Sequence, residues 1–398
     1  MAQTLKFGNG TWATKKGSTL AYNDENGNYK PLPFTYTGAG KGTRVNKQGL
    51  IEVVENDRPR IDYLDSEDGA LLLEPQSTNL LTYSQDFTQW ATNATITPDS
   101  AISPDGTQNA TLFSHSGGSF PQVALSGITF VSGADYVPSL YVKSDGTTQV
   151  QHSLLVNNVV INFTPTNEWV RISDLIVSPD TSGSFVIAQN SGSAVAASFY
   201  IWGAQLEEKS YATSYIPTQG TIQTRVAETA SGSGNSEVFN SSEGVLMAET
   251  KGENDGTFNY ISLSDGGITN YAAILYTDND NQIIYRYYVG GSGVQIAVNS
   301  INVTSFNKIA IKWKANDFAI WINGFEVGTA SSGNLNPSGT FNELSFARGS
   351  NNTPFYGSTK EISYYDEILT DLELETLTSY RTWESMVKEL NLNVIYNG

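Results

Sequence analysis

The chain has 398 residues, a formal net charge of −18 and no cysteine. That excludes disulfide scaffolds and thiolate metal centres and makes two or three domains the expected organisation. An acidic surface repels phosphate backbones, which argues against nucleic acid as a partner, and no run of about 18 apolar residues offers a membrane span. Residues 1–75 carry 9 basic and 10 acidic side chains, 76–225 carry 4 and 10, and 226–398 carry 9 and 20, so the negative charge sits in the two larger regions. Tyr 21, Phe 17 and Trp 7 supply bulky core material, and Gly 36 suits a turn-rich all-β chain.

The start, Met1-Ala2-Gln3-Thr4-Leu5-Lys6, lacks the apolar core of a signal peptide. Residues 1–42 hold three turn clusters, Gly8-Asn9-Gly10, Asn26-Gly27-Asn28 and Gly38-Ala39-Gly40-Lys41-Gly42, with short extended pieces between them. Two readings stand open: an arm that orders against another subunit, or a small cap folded on residue 80 onward. Thr43–Val54 then divides at Gly49 into a polar and an apolar strand, and Arg60-Ile61-Asp62-Tyr63 follows a proline. The stretch Leu71-Leu72-Leu73-Glu74-Pro75-Gln76-Ser77-Thr78-Asn79-Leu80 reads as a junction, because Pro75 cannot donate to a ladder and ends the strand.

From Thr82 to Trp202 strand-like runs recur at about ten-residue spacing with Ser-Gly, Asp-Gly and Asn-Asn breaks, the pattern of a sandwich or jelly roll. In Phe199-Tyr200-Ile201-Trp202, alternation sets Phe199 and Ile201 on one face. Trp90, Trp169 and Trp202 stand at strand positions and read as core. Thr218–Asn235, with Ser231-Gly232-Ser233-Gly234, reads as a linker.

The entry motifs Thr43–Val54, Arg60–Tyr63 and Leu71–Leu80 resemble the entry segment of bacteriophage virion and tail-fibre proteins. The closing motifs Trp202-Gly203-Ala204-Gln205-Leu206-Glu207-Glu208, Tyr211–Thr218 and Thr224-Arg225 resemble the end of that family's carbohydrate-binding-module-like jelly roll. The resemblance brackets about residues 43–228.

From about residue 236 a second sandwich is expected. Gly244–Thr250 is a strand, and Ile283–Tyr288 and Val294–Val298 are joined across Gly290-Gly291-Ser292-Gly293, a hairpin signal. Lys308–Lys314 points Ile309, Ile311 and Trp313 to one side and lysines to the other; Phe318–Ile322 returns, and Asn323-Gly324 makes a further tight turn. Over residues 240–380 this is similar to the concanavalin-like (laminin-G-like) lectin sandwich. Thr370-Asp371-Leu372-Glu373 is a capping box. The helix it starts carries Tyr380, Trp383, Val387 and Leu390 on one stripe. That stripe is expected to pack on the second sandwich, with fibre-like self-association as the alternative.

Chemistry is sparse. His115 and His152 are the only histidines, and a Ser-His-Asp triad would need one of them. His152 lies in a strand pattern and reads as a bystander, and no histidine pair stands at zinc-ligand spacing. Forty acidic residues make chance carboxylate pairs abundant; Glu207-Glu208, Asp255, Asp265 and Asp278/Asp280 are examples, and no spacing singles out a glycosidase pair. Asp278 and Asp280 are the calcium candidates, although the segment lacks the downstream Gly and Glu of an EF-hand. No other cofactor is expected. Sugar binding would use aromatic faces flanked by amide and carboxylate groups, and Tyr271, Tyr276, Tyr285, Tyr287 and Tyr288 are the candidates. Alternation sets Tyr285 and Tyr287 opposite to Tyr288, so one set is core.

The expected architecture is all-β: tandem β-sandwiches with an N-terminal attachment segment and a short C-terminal helix. The segments are 1–75 for attachment, 76–228 for the jelly roll, 236–369 for the concanavalin-like sandwich, and 370–398 for the helix and tail. The resemblance implies a non-enzymatic fibre or surface decoration protein of a virion, attached to other virion proteins through Met1 to Pro75. It implies contact with host or environmental glycans and commonly a homotrimer. The alternatives are a purely structural capsid or baseplate decoration protein, a bacterial surface adhesin, which would need an export signal, and a polysaccharide hydrolase.

Overall fold

The computed structural model describes residues 4–20, 32–147, 149–189, 193–253, 257–277, 281–350, 352–380, 382 and 386–387. Strands dominate it, with one α-helix, Asp371–Thr378, and one 3-10 turn, Phe87–Gln89, as the named helical elements among the described residues. The chain forms two compact units. One comprises Ala39–Glu55 and Gln76–Val226; the other comprises Met1–Gly38, Asn56–Pro75 and Ala227–Gly398. No helix among the described residues is long and apolar enough to cross a membrane.

The unit centred on Gln76–Val226 is a sandwich of two antiparallel sheets. One sheet runs Ala91–Thr92, Gln122–Thr129, Ser182–Ala188, His152–Val156, Val159–Phe163; the other runs Thr95–Ile102, Gln108–His115, Ala197–Glu207, Asp135–Ser144, Val170–Ser173. Period-two alternation decides what each strand buries. Leu154, Val156, Phe185 and Ile187 from the first sheet meet Phe113, Leu140, Val142, Phe199 and Ile201 from the second in one core. Trp202 takes the opposite face of its strand, where Ile51 and Tyr215 enclose it.

The motif residues that bracket this sandwich form a buried polar clasp. Asn79 donates from Nδ2 to the carbonyls of Ala204 (3.2 Å) and Ile216 (2.9 Å), while its Oδ1 accepts from the amides of Leu81 and Leu206. The buried Glu207 carboxylate accepts from the Ser77 hydroxyl (2.6 Å), Gln205 Nε2 (2.7 Å), and both the amide (3.0 Å) and the hydroxyl of Thr213. Buried polar atoms are costly unless paired, so these residue types are fixed by each other.

The second unit packs an eight-stranded sheet on a five-stranded one. The larger runs Phe325–Ala330, Asp317–Ile322, Asn307–Lys314, Gly244–Gly252, Gly357–Tyr365, Ala70–Leu73, Arg60–Asp62, with Leu5–Gly8 also paired to Gly357–Tyr365. The smaller runs Ser292–Val298, Gln282–Val289, Tyr271–Thr277, Asn259–Ser264, Glu343–Ser345. Ile309, Ile311 and Trp313 are fully buried between the sheets, as their alternation predicts. The expected hairpins form. Val289 pairs with Ser292 across Gly290-Gly291, whose φ values of 60° and 88° are the left-handed pair that a two-residue turn of this hand requires. Asn323-Gly324 likewise turns Ile322 onto Phe325.

Three expectations are corrected. First, the described part of Met1 to Pro75 is no separate arm. Leu5–Gly8 pairs with Gly357–Tyr365 at Leu5↔Tyr364, and Ala70–Leu73 pairs with the same strand at Gly357↔Leu73. Leu5, Phe7, Leu71 and Leu73 are almost wholly buried in the core, and a free arm would leave them in water. Second, Thr218–Asn235 is no flexible linker. Thr229–Ser231 pairs with Phe34–Thr37, and Ser233, fully buried, donates to the Leu32 carbonyl. Third, the short helix does not carry the expected stripe. It starts at the capping box, Thr370 Oγ1 accepting from the Glu373 amide and Glu373 accepting from the Thr370 amide. It ends at Thr378, before Tyr380. Leu374 anchors it on the outer face of the large sheet, against Val245, Met247, Ala310 and Trp321. Trp383 and Leu390 lie outside the described residues.

A charge cluster lies inside this unit. Arg60 Nε donates to Glu228 Oε1 (2.7 Å), and its Nη2 contacts Glu228 Oε2 and, at 2.7 Å, Glu74 Oε2. The Tyr36 hydroxyl and the Glu74 amide also donate to Glu228. All four side chains are buried. Burial opposes the Arg60 charge, and Glu228 and Glu74 overcome it, raising its pKa further above the ordinary value. Burial, then Glu228, raises the Tyr36 phenol.

Candidate functional site

Register decides which tyrosines can meet a ligand. In the five-stranded sheet, Tyr276, Tyr285 and Tyr287 point into the core and are at most 2% exposed. Their hydroxyls are used internally: Tyr276 donates to the Thr250 carbonyl (3.1 Å), Tyr285 to that of Lys312 (3.0 Å) and Tyr287 to that of Ser241 (2.5 Å). Burial raises all three phenol pKa values. These three are core residues, a correction to the sequence expectation. Their aromatic bulk fills the space between the sheets.

Tyr271 and Tyr288 occupy the other, outward face, directly paired across neighbouring strands, with ring centroids 5.2 Å apart. Tyr260 joins them, 6.4 Å from Tyr271 and edge-on. Tyr260 and Tyr271 are themselves nearly covered, and Tyr288 is half-buried. Burial raises the Tyr271 phenol and Tyr260 adds to this, while the Arg286 guanidinium opposes it.

Two arginines complete this face. Arg286 lies between Tyr285 and Tyr287 in sequence, so alternation sends it outward beside Tyr288. Its Cζ is 5.9 Å from the Tyr260 ring centroid and 5.8 Å from that of Tyr288. It donates from Nη1 to Tyr260 Oη (2.5 Å) and from Nε to Gln295 Oε1 (2.9 Å), which Tyr288 Oη also approaches at 3.3 Å. Arg348 arrives from a loop and sits 5.5 Å from the same Tyr260 ring. Its Nη2 donates to Asn352 Oδ1 (2.9 Å), and its buried Nε has no hydrogen-bond partner among the described residues.

The loop that carries Arg348 is held tightly. Ser262 Oγ donates to the Ala347 carbonyl (2.5 Å) and accepts from the Gly349 amide (3.3 Å). The Arg348 amide donates to the Asn352 carbonyl (2.7 Å), and Ser350 Oγ donates to that of Gly266 (3.1 Å). A Cβ on Gly349 would fall 2.5 Å from the Gly267 carbonyl oxygen, so the backbone approach itself requires glycine. A guanidinium on such a support is preorganised.

Other hollows are satisfied internally. One of about 450 Å³ is lined by Tyr63, Asp65, Glu67, Lys251 and Phe306 among others. There Lys251 is ion-paired with Asp65, and Lys360 covers the Phe306 ring at 3.9 Å. A wider one of about 590 Å³ borders His115 in the other unit. The two histidines, separate in sequence, meet there with Nε2 atoms 3.4 Å apart. His152 Nδ1 donates to the Val150 carbonyl (2.9 Å), and His115 Nδ1 accepts from the Gly117 amide (3.3 Å). His115 Nε2 therefore donates to His152 Nε2. Burial lowers both pKa values, that of His152 to about 4. Among the described residues, no three His, Asp or Glu gather as metal ligands. Of the acidic candidates, Glu207 is buried in its clasp, and Asp265 accepts from the Gly267 amide and Asn270 Nδ2 in a hairpin. Asp255, Asp278 and Asp280 lie outside the described residues.

No protein-family model matches the chain, and no curated protein matches it in sequence. Among solved structures it is similar to the Ruminococcus gnavus IT-sialidase CBM40, at 17% identity and a TM-score of 0.31, over 35% of this chain and 84% of that one. Domain 4 of AbnA, a GH43 extracellular arabinanase from Geobacillus stearothermophilus in complex with arabinotriose, overlaps at 13% identity and a TM-score of 0.33, over 38% and 73%. The leech intramolecular trans-sialidase overlaps at 18% identity and a TM-score of 0.30, over 36% of this chain and 24% of that one. Overlaps this partial assign neither a ligand nor an activity.

Proposed function

We propose that this chain is a non-enzymatic saccharide-binding protein of a bacteriophage particle, a fibre or surface decoration that contacts host or environmental glycans. The observation that carries the binding reading is the outward face of Tyr288, Arg286, Gln295 and Arg348. It combines a half-exposed aromatic ring with fixed donors and an amide, the chemistry that holds a pyranose and orients its hydroxyls. The particle reading rests on the entry and closing motifs at residues 43–80 and 202–225. Attachment to other virion proteins then falls on exposed parts of Met1 to Pro75, such as Leu64 at 69% exposure, and not on a detachable arm. A homotrimer belongs to the same reading.

The test is a glycan array and whole-cell binding assay with the full chain, run beside its mass in solution. Saccharide binding with no release of reducing ends from capsule or cell-wall polysaccharide supports the proposal. Measurable release would make the chain a hydrolase, and an absence of binding to any glycan or cell would leave the structural decoration reading in its place.

A further inference from the structure

The outward face of the five-stranded sheet carries two positive charges that no carboxylate among the described residues pairs with. The chain has 40 acidic residues, so carboxylate partners are plentiful. Arg60 takes two of them, and Arg44 meets Glu52 at 2.6 Å. Arg286 and Arg348 meet none among the described residues; their partners are a phenol, two amide oxygens and tyrosine rings. Their Cζ atoms lie 5.9 Å and 5.5 Å from the Tyr260 ring centroid, and both residues are partly exposed. Like charges around one ring repel, and neutral oxygens relieve that only in part. A bound anion would relieve it fully, and the guanidinium fork matches a carboxylate in shape and charge.

Resting on the saccharide reading, we infer that this face selects sugars bearing a carboxylate, with Arg348 and Arg286 as the specificity-determining residues and Tyr288 as the stacking wall. The net charge of −18 repels polyanions elsewhere on the surface, so any attraction has to come from a local site.

The test offers the full chain matched pairs of polysaccharides: polygalacturonate, hyaluronan, alginate and polysialic acid, each before and after reduction of its carboxylates to hydroxymethyl groups. The expected result is binding to at least one acidic form, weakened about tenfold or more by carboxyl reduction. Arg348→Gln and Arg286→Gln should each weaken the acidic form by a similar factor and leave the thermal transition in place; Arg348→Lys should restore part of the loss. Equal binding of the acidic and reduced forms overturns the carboxylate inference and leaves saccharide binding standing. So does acidic binding that neither arginine variant changes, or binding confined to other, neutral glycans. Failure to bind any glycan, acidic or neutral, overturns the saccharide reading itself.

Discussion

Each sandwich buries a carboxylate, and the two do it differently. Glu228 is held by a guanidinium, a phenol and a backbone amide, with Glu74 sharing the same Arg60. Glu207 accepts from the hydroxyls of Ser77 and Thr213, the Thr213 amide and the Gln205 amide group, all neutral donors. The first arrangement stakes stability on one guanidinium shared by two carboxylates, across three chain segments. The second spreads it over several weaker bonds, so losing any single donor should matter less.

That contrast ranks the expected effects. Arg60→Met should be the most damaging change, about 3–5 kcal/mol, because the buried Glu228 then loses the guanidinium it pairs with. Denaturant unfolding of the full chain measures it, and the unit containing Glu228 should give way first. A loss below about 1 kcal/mol would show the cluster to be dispensable.

Next comes acid. His152, buried and with its pKa near 4 in the folded chain, has an unfolded value near 6.5. The unfolded state therefore binds more protons as pH falls through that window. The stabilisation is complete above about 6.5, declines towards 4, and its full loss is of the order of 3 kcal/mol. Thermal melts from pH 7 to 4 should show His152→Phe flattening the acid limb of the Gln76–Val226 unit. An unchanged limb in the variant would assign acid sensitivity to its carboxylates instead, Asp105 and Asp145 among them, whose pKa values are lowered. The smallest effect is expected for Glu207→Gln, about 1–3 kcal/mol, since an amide NH2 would then replace one acceptor oxygen and face former donors. If it proved more damaging than Arg60→Met, the contrast between the two carboxylates would be reversed.

Local structure was legible in the sequence. The alternation of Ile309, Ile311 and Trp313, the Gly290-Gly291 and Asn323-Gly324 turns, and the Thr370 capping box each depend on neighbours within a few residues, and each formed. The assembly of one unit from distant stretches of the chain was not legible. Leu5 pairs with Tyr364 and Phe34–Thr37 with Thr229–Ser231, and nothing local encodes a pairing across the length of the chain. The tyrosines fall between these cases. Alternation shows that Tyr285 and Tyr287 oppose Tyr288, but the identity of the core face follows only once the second sheet is in place. Arg286 could have been read from the same alternation, as the outward neighbour of Tyr288. Arg348 could not, because it reaches Tyr260 from a loop with no periodicity.

The central claim is that saccharide recognition sits on this arginine–tyrosine face of the five-stranded sheet. Amide hydrogen exchange of the full chain, with and without its best-binding glycan, locates the contact directly. Protection concentrated in residues 286–295 and 347–352 is the predicted result. Protection around Asp65, Lys251 and Phe306, or beside His115, with residues 286–295 and 347–352 unchanged, would contradict it.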